Sequence, residues 1–232
     1  MAIALIFIVI LVSLFVIARS SLNNLACEGQ PINIRLRPTV AQQIWGETTI
    51  SQSFVAPRDG LNRLDLLFQT YQRQNTHDII LTLRRLPPGP DDPLLATKIR
   101  EFTFNAAGVR DQTWRSFTFP AIPDSAGKTY LISIQSPESV SGNAITVGGT
   151  EWDVYEPGSA YLGSMPVLAD VAFRTCYELT TLGKLQLLFE QMTRDRPGLW
   201  GNIVFYALLL LVYVALLVGL FLFLGKLVLE RD

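Results

Sequence analysis

The stretch Leu64-Asp65-Leu66-Leu67-Phe68-Gln69 decides the fold class. Extended backbone sends successive side chains to opposite faces, so Leu64, Leu66 and Phe68 share one apolar face, while Asp65, Leu67 and Gln69 share the other. The same period of two recurs down the chain in Ile79, Leu81 and Leu83, in Phe102 and Phe104, in Phe117 and Phe119, in Tyr130, Ile132 and Ile134, in Ile145 and Val147, and in Val171 and Phe173. Turn formers separate these runs: Pro57-Arg58-Asp59-Gly60, Pro87-Pro88-Gly89-Pro90-Asp91-Asp92-Pro93, Asp124-Ser125-Ala126-Gly127, Ser141-Gly142-Asn143 and Glu156-Pro157-Gly158. Each supplies a fixed φ, a tolerated positive φ or a side-chain-closed turn. Roughly seven to ten short strands without helical crossovers predict a mainly β, antiparallel β-sandwich. A jelly-roll-like topology is the preferred form, because it brings the ends of the domain together and protects sheet edges.

The period changes at Thr181. Leu182, Leu185, Leu188, Phe189 and Met192 recur at helical steps, with Lys184, Gln186, Glu190, Gln191 and Arg194 filling the other side. This predicts an amphipathic juxtamembrane helix, ended by Pro197-Gly198, that lies along a bilayer surface or against the base of the domain. From Ile203 to Gly225 the chain runs 23 residues without a charge, enough to cross a hydrocarbon core with some tilt. Trp200 and Tyr206 suit the interface at its start, and Lys226 and Arg231 after it favour a cytoplasmic C-terminus.

A shorter uncharged run of 17 residues, Ala2 to Ala18, opens the chain. A cleaved signal peptide usually has a basic residue ahead of its apolar run and a small-x-small site behind it. Only Met1 precedes the run here, and Val16-Ile17-Ala18 has the wrong outer residue, so a retained anchor is expected. Arg19 pulls weakly against a cytoplasmic N-terminus, but a folded domain of this size translocates largely regardless of one charge. The expected organisation is a transmembrane helix at 1–19, a β-sandwich ectodomain at 27–179, the amphipathic helix at 180–200 and a second transmembrane helix at 201–226. The protein is then two-pass in the cell membrane, with both termini cytoplasmic and the domain extracytoplasmic. The low charged fraction of 17% agrees, since much of the shortfall sits in the two apolar ends.

Cys27 and Cys176 stand at the beginning and end of the β region. Outside the cytoplasm thiols oxidise where geometry allows, and a domain whose first and last strands are neighbours brings these two together. A disulfide is therefore expected, against the alternative of two unconnected buried thiols.

Little in the sequence carries chemistry. The formal charge is −1, from 19 basic and 20 acidic residues, which gives no basic surface for nucleic acid. His77 is the sole histidine and follows a polar run that marks a loop tip, so it is expected to be a turn residue rather than a catalytic base. Two distant cysteines and one histidine cannot close a zinc site. No Gly-rich phosphate loop precedes a helix, and the chain has no haem or cluster ligands. The run Gly89-Pro90-Asp91-Asp92-Pro93 reads as a solvated loop before it reads as a calcium site. Trp45, Trp114, Trp152, Tyr155 and Tyr161 are expected mainly in the core, although an exposed row of rings would suit sugars. No cofactor, metal site or catalytic residue is assigned.

Ile50-Ser51-Gln52-Ser53-Phe54-Val55-Ala56-Pro57-Arg58-Asp59-Gly60-Leu61 resembles the opening of a β-sandwich module attached to bacterial membrane proteins, among them multispanning lipid-linked-sugar glycosyltransferases. The run from Phe119 to Tyr130, the run Gly142 to Ile145, and the tail from Arg196-Pro197-Gly198 through Phe205-Tyr206 extend the likeness over residues 45–215. It implies fold and membrane attachment only. The matching positions are turn and core residues, no catalytic residue transfers, and the multispanning catalytic part has no counterpart in these residues.

The expected function is a non-catalytic accessory subunit of a larger bacterial membrane complex, with an electron-transfer complex as one host, capping its extracytoplasmic face. The expected partners are the bilayer and other integral membrane subunits. The alternative is a membrane-anchored glycan-binding module in polysaccharide or glycolipid synthesis; an enzyme ranks last. Helix-helix contact is expected through Tyr206, Tyr213, Ala215 and Gly219, because a small-xxx-small step permits close backbone approach.

Overall fold

A computed structural model describes residues 27–29, 43–89, 92–193 and 196–229. The expected N-terminal transmembrane helix at 1–19 lies outside the described residues. Contacts divide the described residues into two units, one within Ala26–Glu178 and the other within Leu179–Asp232.

The Ala26–Glu178 unit is mainly β. Its strands are β1 (Cys27–Gly29), β2 (Gln43–Ile44), β3 (Thr49–Val55), β4 (Leu61–Gln69), β5 (Asp78–Arg85), β6 (Thr97–Asn105), β7 (Thr113–Ile122), β8 (Thr129–Gln135), β9 (Ile145–Val147), β10 (Gly149–Thr150), β11 (Ala160–Leu162), β12 (Met165–Val167), β13 (Asp170–Val171) and β14 (Phe173–Tyr177). One antiparallel sheet runs β12-β11-β3-β8-β5-β6. A second joins β1, β14, β4, β9 and β2, with β7 on the free side of β4, and β10 pairs with β13. The chain passes repeatedly from one sheet to the other, so β8 comes to lie between β3 and β5.

The alternation of β4 places Leu64, Leu66 and Phe68 at 0% exposure. Ring contacts tie the two large sheets face to face: Phe54 to Phe173 at 5.5 Å, Phe68 to Phe104 at 5.6 Å, and Phe117 to Phe102 and Phe104 at 5.4 and 5.3 Å. Burying such rings provides most of the favourable free energy of a core like this. The other face of β4 is buried too, with Asp65, Leu67 and Gln69 at 5%, 4% and 3%. That face is shielded partly by long side chains. The Arg174 guanidinium lies 4.0 Å from the Trp114 ring centroid, and Arg73 donates to the Thr146 hydroxyl at 3.1 Å. Arginine stems cover apolar surface while their heads stay solvated.

Two of the turn stretches interlock at the end where the chain leaves the unit. The Ser125 hydroxyl donates to the Arg58 carbonyl at 2.8 Å, and the Ala126 N–H donates to Asp59 Oδ1 at 2.8 Å. Gly60 takes φ +83°, and a Cβ there would sit 2.8 Å from the Glu178 carbonyl oxygen. The turn and the passing exit strand both require glycine.

In the second unit the helix Thr181–Thr193 starts at Thr180, whose hydroxyl accepts from the Gly183 N–H at 3.1 Å. Its most enclosed leucine is Leu187 at 2%, while Leu182 is 68% exposed. Adjacent leucines at 187 and 188 leave the rotation of the stripe undefined by spacing, and the helix is turned toward Leu187. The helix Ile203–Leu229 is capped by Asn202, whose Oδ1 accepts from the Val204 N–H at 2.8 Å. Its segment Ile203–Leu220 has a mean hydropathy of 2.8, with 6% of it buried. Among the described residues, this one helix is long and apolar enough to cross a membrane.

Candidate functional site

Cys27 and Cys176 are register partners on β1 and β14, and they form the expected disulfide, with Cα atoms 3.9 Å apart. Arg63 on β4, the register partner of Cys176 on β14, places Nη2 2.9 Å from Cys27 Sγ. The same Nη2 donates to Asp65 Oδ2 at 3.2 Å. Arg63 Nε and Asp65 Oδ1 are 3.1 Å apart as an ion pair, although their alignment is too poor for a hydrogen bond. Asp65 Oδ2 in turn lies 3.9 Å from Cys176 Sγ. Cys27, Asp65 and Cys176 thus offer three potential ligand atoms within 4.8 Å of one another. Metals bind thiolates, and both sulfurs here are committed to a covalent bond, so the cluster is a cross-strand staple with a half-buried charge pair beside it.

A second buried constellation holds the segment after β10. Asp170 is fully buried, and its Oδ2 accepts from the N–H groups of Val154 and Tyr155 at 2.7 and 2.8 Å. Its Oδ1 accepts from Gln52 Nε2 at 3.1 Å, and Gln52 Oε1 accepts from the Val171 N–H at 2.9 Å. Burial raises the Asp170 pKa above the ordinary carboxylate value, against the three hydrogen bonds that pull it down. Every polar atom of this network is spent on the protein, which makes it structural.

The sequence-assigned residues distribute as follows. His77 lies in the bend before β5, half-buried, and its carbonyl accepts from the Ala106 N–H at 3.0 Å. His77→Ala is expected to leave function intact and to shift unfolding free energy by less than about 0.5 kcal/mol in urea titration; lost activity at unchanged stability would reveal a catalytic site. Asp92 caps the short turn Pro93–Leu95, accepting from the Leu94 N–H at 2.9 Å, while Pro90 and Asp91 lie outside the described residues. On the helix Ile203–Leu229, Tyr206 is 5% exposed, whereas Tyr213, Ala215 and Gly219 are all exposed. A Cβ added at Gly219 meets nothing within 4 Å.

The aromatic residues split. Tyr161 is buried, Tyr155 packs edge-on against Phe173 at 5.4 Å, and Trp114 lies under Arg174. Trp45 and Trp152, expected in the core, are 43% and 70% exposed. Both stand in connecting segments outside the strands, where no facing sheet covers them.

Among the described residues, clefts open on the β unit, and two of them have walls of distinct chemistry. The first, about 520 Å³, is lined by Leu86, Pro87, Ile99, Ile122, Arg85 and Arg100. Its guanidinium groups are engaged: Arg85 is 3.9 Å from Asp124, and Arg100 Nη1 donates to the Ile99 carbonyl at 2.8 Å. The second, about 560 Å³, is formed by Trp45, Gly46, Glu47, Thr48 and Thr49 with Leu162 and Gly163. Sequence reasoning missed this cleft, because its walls come from the turn before β3 and the distant β11–β12 hairpin. A tryptophan flanking a glycine turn, Trp45-Gly46, was the one signal present.

No family model matches the sequence, and no curated protein matches it.

Proposed function

We propose that the chain is a non-catalytic accessory subunit of a bacterial membrane complex, an electron-transfer complex being one such host. In this reading two transmembrane helices, at 1–19 and 201–226, hold a jelly-roll β-sandwich on the extracytoplasmic side, with both termini cytoplasmic. The observation that carries the proposal is the helix Ile203–Leu229, on which Tyr213, Ala215 and Gly219 are exposed and a Cβ added at Gly219 meets nothing within 4 Å among the described residues. A lone anchor needs only length and apolarity. This helix adds Ala215 and Gly219 one turn apart, a step that lets a second backbone approach closely, so that van der Waals contact replaces the hydrophobic drive that lipid removes. The disulfide supports an oxidising, extracytoplasmic site for the β unit.

Filling that groove tests the proposal. Gly219→Leu is expected to cut the yield of co-purifying membrane subunits in mild detergent at least severalfold, while the β unit keeps its melting temperature. Unchanged partners, or a wild-type protein that purifies alone and monomeric, would reduce the helix to an anchor.

A further inference from the structure

We propose that the cleft walled by Trp45 and Leu162 is a binding site for a neutral saccharide. Its shape comes from two glycine turns. Gly46 takes φ +55° and donates its N–H to the Ser139 carbonyl at 3.2 Å, while the Thr48 N–H closes on the Trp45 carbonyl at 3.1 Å. Opposite, Gly163 takes φ +61° and donates to the Thr49 carbonyl at 2.8 Å, which fixes the β11–β12 hairpin beside the start of β3. Neither glycine has any atom within 4 Å of a Cβ position, so both lips are clear. The volume of about 560 Å³ falls in the range of small-ligand sites.

The lining then selects the chemistry. The indole of Trp45 is 43% exposed, and Leu162 supplies the remaining apolar surface. Among the described residues, Trp45 Nε1, the Glu47 carboxylate and the hydroxyls of Thr48 and Thr49 make no hydrogen bond or ion pair. One flat ring and four unspent polar groups in one cleft suit a ligand that has an apolar C–H face and hydroxyls around its rim. A pyranose has both. Its hydroxyls can donate to Glu47 in charge-assisted hydrogen bonds and exchange hydrogen bonds with the two threonines. The single charge in the lining is negative, which disfavours uronates and sugar phosphates. A hydrophobic protein segment is also disfavoured, because it would bury these polar groups unpaired.

Thr49 begins β3, and the chain leaves the unit after Glu178, beside the turn that follows the other end of β3. Seven residues of extended chain set the two ends roughly 20 Å apart.

The proposal concerns the β unit and is independent of what the apolar helix binds. The full chain is placed in lipid nanodiscs free of glycoside detergents, whose sugar headgroups would compete. It is screened on an array of neutral glycans, and hits are titrated by saturation-transfer NMR with soluble oligosaccharides such as maltohexaose, cellohexaose or mannohexaose. The expected result is a hit that Trp45→Ala weakens about tenfold or more. Glu47→Gln is expected to weaken it severalfold, and Trp152→Ala, which alters an exposed tryptophan outside the cleft, to leave it unchanged. The proposal is overturned by an array without hits, by binding that survives Trp45→Ala, or by equal loss in Trp152→Ala. Each variant alters an exposed side chain, and an unchanged melting temperature separates lost binding from lost folding.

Discussion

Asp170→Ala is expected to destabilise the β unit by about 3–5 kcal/mol, the cost of breaking a buried charged network from one side. The carboxylate is fully buried and receives three donors, the N–H groups of Val154 and Tyr155 and the amide of Gln52. Alanine leaves all three facing a cavity, and the Val154 and Tyr155 N–H groups cannot turn to water without moving backbone. Gln52 cannot compensate, because its Oε1 already accepts from Val171 and its Nε2 is also shared with the Ser53 carbonyl at 3.1 Å. The damage should spread through Tyr155, whose hydroxyl accepts from the Val55 N–H at 3.3 Å and whose ring packs on Phe173. Urea denaturation followed by circular dichroism measures the loss, and limited proteolysis should show new cleavage between residues 151 and 158. A loss below about 1 kcal/mol would mean that this network does not hold the segment.

The same residue has a pH signature. Its folded pKa is raised above 3.8 by burial, so the stability it contributes is fully present below the ordinary carboxylate pKa and is lost as pH rises through the folded value. Asp111 runs the other way. Burial pushes its pKa up, but the Thr70 and Tyr71 N–H groups outweigh burial and leave it lowered, so its contribution is lost as pH falls through the folded value. Comparing wild type with Asp170→Asn isolates the first effect. The wild-type advantage should grow as pH falls from neutral toward about 4; a difference independent of pH would show that Asp170 titrates normally.

The strands were legible because alternation along β4 and its neighbours needs only local sequence. What covers them was not. Asp65 and Gln69 stand on the face opposite Leu64, Leu66 and Phe68, and their burial has no local signal: it arises because the outer face of their sheet is shielded in part by arginines from other segments. The Asp170–Gln52 contact spans 118 residues and obeys no spacing rule. The Trp45 cleft joins a turn to a hairpin that pairs with β3 from far along the chain. The disulfide was legible for a different reason: two cysteines at the ends of one β region point to neighbouring first and last strands, whatever the topology between them.

Replacing Cys27 and Cys176 together by alanine is expected to cost about 2–5 kcal/mol. The bond closes a loop across a separation of 149 residues, and it holds the three-residue β1, which among the described residues pairs with β14 alone. A strand so short contributes few ladder hydrogen bonds of its own. The surroundings also resist reduction. Cys27 is the more accessible sulfur, while Cys176 is 4% exposed. A thiolate attacking Cys27 must expel the Cys176 thiolate into a buried site 3.9 Å from the Asp65 carboxylate, where negative charge is unwelcome. The better leaving group is Cys27, 2.9 Å from the Arg63 guanidinium, but expelling it requires attack on the buried sulfur. In the folded protein, dithiothreitol should therefore leave the bond intact over times that reduce it fully in urea. Iodoacetamide trapping with mass mapping of Cys27 and Cys176 gives both rates, and equal reduction in the folded and unfolded protein would show that the arginine-carboxylate pair affords no protection.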